Sequence, residues 1–226
     1  GYPSTRTAWG YYFDVEGTIA TALPAATAGY MDQWTNYNPS AAFPVGVFYP
    51  DPEWLTDYVA AGVNTGLSIP VTEGGYRDAI IASGMDVWAT VNDTGNPWQL
   101  VATDPELGAH VVGYVLGDEP DLAPTSYTAQ DAINIVARIR AVDSTRPVFL
   151  NFGLGVGTGM GWSFIVPGQV IADMFDNAMK MIPAADVLAL DDYNLAPATS
   201  GRHGVWTYAV FTKRLRQFGK DRKAVW

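Results

Sequence analysis

The chain of 226 residues contains no cysteine, which removes disulfide frameworks and thiolate metal sites. Basic residues are few: 13 Lys and Arg stand against 23 Asp and Glu, for a formal net charge of -10. Such a chain cannot neutralise a row of phosphates, so nucleic acid is excluded as a partner and anionic membrane surfaces are disfavoured. No apolar run approaches the ~20 residues of a bilayer-spanning helix, so no membrane insertion is expected. No signal peptide is visible. The chain begins at Gly1 without a methionine, which leaves room for a lost leader, and an extracellular or periplasmic location is the expectation. A glycine-rich phosphate turn after a first strand is missing too. Gly153-Leu154-Gly155-Val156-Gly157 runs into Thr158-Gly159-Met160-Gly161-Trp162 rather than directly into a helix and reads as a rim loop. No cofactor is implied.

What is present is the composition of a folded globular protein, 48% apolar and 16% charged, long enough for one sizeable core. From Phe43 onward short apolar strands alternate with helical patterns. The strands are Pro44-Tyr49, Val63-Ile69, Met85-Val91, Val111-Leu116, Pro147-Phe152, Asp186-Leu190 and Lys223-Trp226. Helix starts are marked by Asp51-Pro52-Glu53 and Asp104-Pro105-Glu106, and stops by Gly62 and Gly84, the latter closing a helix that begins near Thr72. Ser126-Val142 carries Ala129, Ile133, Val136 and Ala137 at helical spacing, predicting an apolar face there. Val170-Ile182 and Val205-Phe218 read as further helices, the second with a solvated basic face. Strands and helices alternating at about 30-residue spacing imply parallel βαβ units. The fold class is therefore α/β, a (β/α)8 barrel with six βα units and the start of a seventh strand, and a doubly wound sheet is the runner-up. Residues 1–42 fall outside the rhythm and read as an N-terminal tail, a linker or a piece of an upstream module; residues 43–226 form the partial barrel. Asp14-Val15-Glu16 mimics a strand-end carboxylate pair but lies in that excluded stretch.

Polar groups recur where strands end: Tyr49, Asn92, Asp118-Glu119, Asn151 and Asp191-Asp192-Tyr193. Active residues of β/α barrels sit at that C-terminal face, contributed by several strands. The sharpest of these ends is Gly117-Asp118-Glu119-Pro120, which closes the apolar run Val111-Leu116. Proline cannot donate to a sheet ladder, so the strand stops there. A glutamate held at an apolar strand end is placed to work as a general acid. The competing reading is a carboxylate that caps the next helix or pairs with an arginine.

Val112-Gly113-Tyr114 through Gly117-Asp118-Glu119-Pro120-Asp121 resembles the acid/base strand of the retaining barrel glycoside hydrolases that include cellulases, mannanases and β-galactosidases. Phe43-Pro44-Val45-Gly46-Val47, Arg146-Pro147-Val148-Phe149-Leu150-Asn151 and Ala185-Asp186-Val187-Leu188-Ala189-Leu190-Asp191-Asp192-Tyr193 extend the resemblance, in order, over residues 43–226. It implies Glu119 as catalytic acid/base, with Asp118, Asn151, Asp192, Tyr193, Asn92 and Tyr49 around a carbohydrate substrate, a β-linked oligo- or polysaccharide. Asp118 stands where that clan usually has an asparagine touching the sugar 2-hydroxyl, which leaves the contact open. Tyr193 matches a tyrosine that supports the nucleophile.

Retaining enzymes set a nucleophilic carboxylate ~5.5 Å from the acid/base. The resemblance places that glutamate at the end of strand seven, past Trp226, in which case the chain would be inactive as it stands; Asp191 or Asp192 is the substitute within it. Oxygen ligands at Asp118, Glu119, Asp191 and Asp192, with His203, would suit magnesium or calcium, but no ligand spacing supports a metal site. Tyr49, Trp98, Trp162 and Trp206 fall in or near the upper loops, where rings either stack on sugars or simply pack. A non-catalytic carbohydrate-binding barrel is the alternative function. Nothing in the sequence bears on oligomeric state.

Overall fold

A computed structural model describes residues 45–91, 95–122, 128–153, 177–190 and 224–225. The tail or linker expected at residues 1–42 lies outside them. Seven strands make one parallel sheet: β1 Gly46–Phe48, β2 Thr65–Ile69, β3 Asp86–Thr90, β4 Val111–Asp118, β5 Val148–Phe152, β6 Val187–Leu190 and β7 Ala224–Val225. Their spatial order is their chain order, and every neighbouring pair is parallel. A doubly wound sheet is defined by a reversal of strand order. None occurs among the described strands, so the runner-up fails and the sheet is singly wound. Right-handed crossovers repeated in one direction put all the helices on one face.

The core divides accordingly. One cluster joins Val87, Ala89, Tyr114, Leu116 and Leu150 of the strands to Leu55, Ile80, Val101, Ile135 and Ile139 from the helical segments. The other contains strand residues alone: Trp88, Val112, Val115, Phe149, Val187 and Ala189, with Leu67 against them. Alternation along each strand produces this split, since successive side chains leave opposite faces. The inner cluster centres on Trp88, whose ring tilts against Phe149 at 5.6 Å between centroids. Gly113 makes room for it, because a Cβ there would lie 2.3 Å from the indole. Pairing slips at this point, Val87 opposing Val111 while Trp88 opposes Gly113, a bulge with Val112 as the extra residue.

The helices bounded within the described residues are α1 Leu55–Ala60, α2 Tyr76–Ser83, α3 Pro97–Thr103, α4 Pro105–Gly108 and α5 Ala129–Val142, and residues 177–181 are helical as well. Asp51-Pro52 opens a single 3-10 turn, Pro52–Trp54, before α1, and Asp51 makes no side-chain cap. α2 begins at Tyr76 rather than near Thr72 because Val71–Gly75 form turns, with Gly75 at φ +90° in the entry position. Asp104 does cap α4, accepting from Leu107 N at 3.1 Å. The face assigned to α5 needs correction. Ala129, Ala132, Ile135 and Ile139 are buried, whereas Ile133 is exposed and Ala137 points to solvent. The stripe at i, i+3, i+6 and i+10 carries two isoleucines onto the sheet, more apolar area than the rotated stripe that was expected.

Buried charge locks the opposite end of the sheet, at the N-terminal ends of β4, β5 and β6. Asp143 accepts from Tyr114 Oη at 2.7 Å, Arg146 Nη1 at 2.7 Å, Thr145 N at 2.8 Å and Thr145 Oγ1 at 2.6 Å. Arg146 also donates to the carbonyls of Val111 and Gly108. Beside it Arg140 pairs with Asp186, which accepts from Val148 N at 2.8 Å. Burial works against a charged Asp143, but the hydrogen bonds from Thr145, Tyr114 and Arg146 outweigh it and hold the carboxyl below the usual range. Burial, reinforced by the Asp143 charge, pushes the Tyr114 phenol up. A cleft of about 450 Å³ opens at this end, lined by Val142, Ser144 and Ala109 among others. Its charged groups are committed to the network, and this end of such a sheet serves stability rather than chemistry.

Candidate active site at the C-terminal ends of the strands

Along the helix-free face the side chains change character toward the C-terminal ends. Trp88 is followed two residues on by Thr90, and Phe149 by Asn151. Thr90 Oγ1 and Ser68 Oγ lie 2.8 Å apart across β2 and β3. Asn151, 5% exposed, donates from Nδ2 to Asp118 Oδ1 at 3.0 Å across β4 and β5. Apolar packing on this face thus gives way to paired polar groups at the C-terminal strand ends.

The backbone is unusual at the same rim. Among the described residues three non-glycine residues have positive φ: Tyr49 at 49°, Ser68 at 59° and Glu119 at 43°. They stand at the C-terminal ends of β1, β2 and β4. Each costs on the order of 1–3 kcal/mol, and such strain collects where geometry serves a site. β4 runs two residues further than the apolar run implies, through Asp118. Gly117 at φ +90° then lets the chain turn, and Pro120 opens a 3-10 turn, Pro120–Leu122. Glu119 is thereby held, partly buried, between a strand that has ended and a turn that cannot rejoin the ladder.

Its carboxyl rests on the backbone of Gly153, just past β5. A Cβ at Gly153 would meet Glu119 Oε1 at 2.5 Å and Cδ at 2.7 Å. Gly153 N donates to Asp121 Oδ1 at 2.8 Å, and Asp121 is fully buried. Of the residues read from the sequence, Asp118 and Asn151 are paired, and Glu119 lies against Gly153, two residues past Asn151. Tyr49 is half exposed at the end of β1, its ring edge-on to Phe48. Asn92, Asp192 and Tyr193 lie outside the described residues, as do Asp191, His203, Trp162 and Trp206. Trp98 is not a stacking platform: it is 2% exposed in α3, beneath the Arg138 guanidinium at 5.1 Å. Among the described residues no third ligating side chain joins Asp118 and Glu119 in a metal-sized group.

Ser68, Thr90, Asp121 and Gly153 were missed in the sequence. Asp121 sits inside the quoted strand-four motif, and Gly153 opens the glycine-rich stretch, so each carried a signal without a partner to interpret it.

No family model matches the chain, and none of the curated proteins compared does. Among solved structures the chain is similar to the glycoside hydrolase family 17 β-1,3-glucanosyltransferase from Rhizomucor miehei, with 13% identity, TM-score 0.47, and coverage of 80% of this chain and 69% of that one. It is similar to the β-glucuronidase of Parabacteroides merdae at 11% identity and TM-score 0.45, covering 80% of this chain and 24% of that one. The FMN-binding β-glucuronidase from Facaelibacterium prausnitzii follows at 14% identity and TM-score 0.39, covering 70% and 27%. The chain thus spans about a quarter of the length of these two glucuronidases. These neighbours are glycoside hydrolases, at a distance where likeness carries no argument about site or activity.

Proposed function

We propose that the chain forms a β/α barrel that cleaves O-glycosidic bonds of a β-linked oligo- or polysaccharide by a retaining mechanism. The observation that carries this reading is the placement of Glu119. It sits in a strained conformation at the C-terminal end of β4, its carboxyl seated on Gly153, two residues past the Asn151 that pairs with Asp118. Glu119 would give its proton to the glycosidic oxygen as the C–O bond breaks and that oxygen takes the bonding electrons. A second carboxylate would add to the anomeric carbon, forming a glycosyl ester. Glu119, now ionised, would then take a proton from the water that displaces the ester. Asp118 and Asn151 offer acceptors and an amide to sugar hydroxyls, with Tyr49, Asn92, Asp192 and Tyr193 completing the rim. The second carboxylate is assigned beyond Trp226, with Asp191 or Asp192 as the candidates within the chain. An extracellular or periplasmic location goes with a polymeric substrate.

The test is Glu119→Gln in the complete gene product, assayed on β-linked oligosaccharides and on 2,4-dinitrophenyl β-glycosides. A dinitrophenolate leaves without protonation, so loss of an acid should abolish turnover of the first and spare glycosyl transfer from the second. Equal activity of variant and parent on both substrates would sink the assignment. Sugar binding without turnover in either protein would instead identify a carbohydrate-binding barrel.

A further inference from the structure

Gly153 poses a question that backbone conformation does not answer. Its φ is not among the positive values that call for glycine. What excludes a side chain there is space, and that space is filled by the Glu119 carboxyl, 2.5 Å from where a Cβ would stand. Gly153 in turn is fixed by its N–H bond to Asp121, a carboxylate with no exposed surface. Asp121 rides on the 3-10 turn that begins at Pro120, one residue after Glu119. The turn therefore leaves Glu119, reaches across to the end of β5, and returns through the Gly153 backbone to the same carboxyl.

We infer that Gly153 and Asp121 are positioning residues for Glu119: the glycine is a notch that seats its carboxyl, and the buried aspartate holds that notch in register. This rests on the reading of Glu119 as the acid/base. Glu119 stands past the last residue of β4, where no ladder neighbour flanks its long side chain, so a rigid seat supplied by a neighbouring strand is the means of aiming it. Displacing a proton donor by about 1 Å can cost on the order of 10²-fold in rate. The Cβ that Gly153→Ala adds would meet the Glu119 carboxyl, which can swing aside, and Glu119 Cβ at 3.0 Å, which must give by a few tenths of an ångström, so the fold of this variant is checked before its chemistry is read.

The experiment uses Gly153→Ala, Asp121→Ala and Asp121→Asn, each checked by circular dichroism and thermal melting, with NMR on the chain and kinetics in the complete gene product. The chain has only five glutamates, at 16, 53, 73, 106 and 119, so the Glu119 carboxyl can be followed by carbon NMR in glutamate-labelled protein and assigned by its loss in Glu119→Gln. In Gly153→Ala and Asp121→Ala its titration midpoint should move by about half a pH unit or more. Asp121→Asn, which keeps an oxygen to accept the Gly153 N–H, should move the midpoint only by the loss of the Asp121 charge and, unlike the other two variants, keep the parent activity. On sugar leaving groups, kcat/KM should fall by about 10- to 100-fold, whereas kcat/KM of dinitrophenyl substrates, which reports the step before the base is needed, should be spared. A native-like Gly153→Ala with an unmoved midpoint would overturn the inference, as would equal losses of kcat/KM on both substrate types. If Glu119→Gln leaves turnover intact while Gly153→Ala still moves the midpoint, the acid/base reading fails and the seat alone survives.

Discussion

Asp143→Ala tests how the sheet is held at the end away from the site. Four donors converge on this carboxylate within 2.8 Å, and Arg146 is itself 9% exposed. The substitution strands a buried guanidinium and a buried phenol together. Breaking one side of a buried pair costs roughly 3–5 kcal/mol. The two carbonyls that Arg146 keeps, at Val111 and Gly108, hold the expectation to the lower half of that range, about 3–4 kcal/mol. For a protein of this size that lowers Tm by on the order of 10 °C. Urea denaturation with matched m-values is the measurement, and a loss below about 1 kcal/mol would refute the reasoning. The double variant Asp143→Ala with Arg146→Met should lose less than the sum, because no charge is left unpaired. The pH dependence has a definite sign. Asp143 has a folded pKa below its unfolded value, so its stabilisation is present above about pH 4 and disappears as pH falls through the lower folded value. Tyr114 is raised, so its contribution is present below about pH 10 and is lost above that. The acid slope should vanish in Asp143→Ala, and the alkaline slope should lose only the part due to Asp143, since burial of Tyr114 remains.

Two other substitutions probe the inner layer and the best-capped helix. Gly113→Ala forces a Cβ to 2.3 Å from the Trp88 ring and 2.9 Å from Pro147 O, neither of which can swing away. A loss of about 3 kcal/mol is expected, and Trp88→Leu in the same chain should recover part of it by thermal melting. Thr128→Ala removes the side-chain oxygen that accepts from Asp131 N at 3.2 Å at the start of α5. It should cost ~1 kcal/mol, and an unchanged urea midpoint would show that α5 is held by its buried face alone.

Apolar runs of strand length and proline or glycine punctuation are local, and they located the strands and most helix ends. The strand-end glutamate was legible for the same reason: Val111-Leu116 is apolar throughout, so Asp118-Glu119-Pro120 could only lie where it stops. The α5 face was misplaced because two stripes of similar apolarity share that helix, and only the sheet beneath decides which is larger. Winding sense was likewise undecided, since strand alternation is compatible with both a barrel and a doubly wound sheet until the order of neighbours is known. Trp98 could have been rim or core on sequence grounds; the position of α3 against the sheet made it core.

The sequence alone determined that this is a parallel α/β protein with a glutamate at the end of its fourth strand, because period, punctuation and residue type are properties of neighbours along the chain. Only the tertiary structure decided what lies against that glutamate. Asp121 and Gly153 are 32 residues apart, and Asp143 and Tyr114 are 29 apart. Contacts across such separations depend on how strands pair and where the chain turns, which no local pattern records.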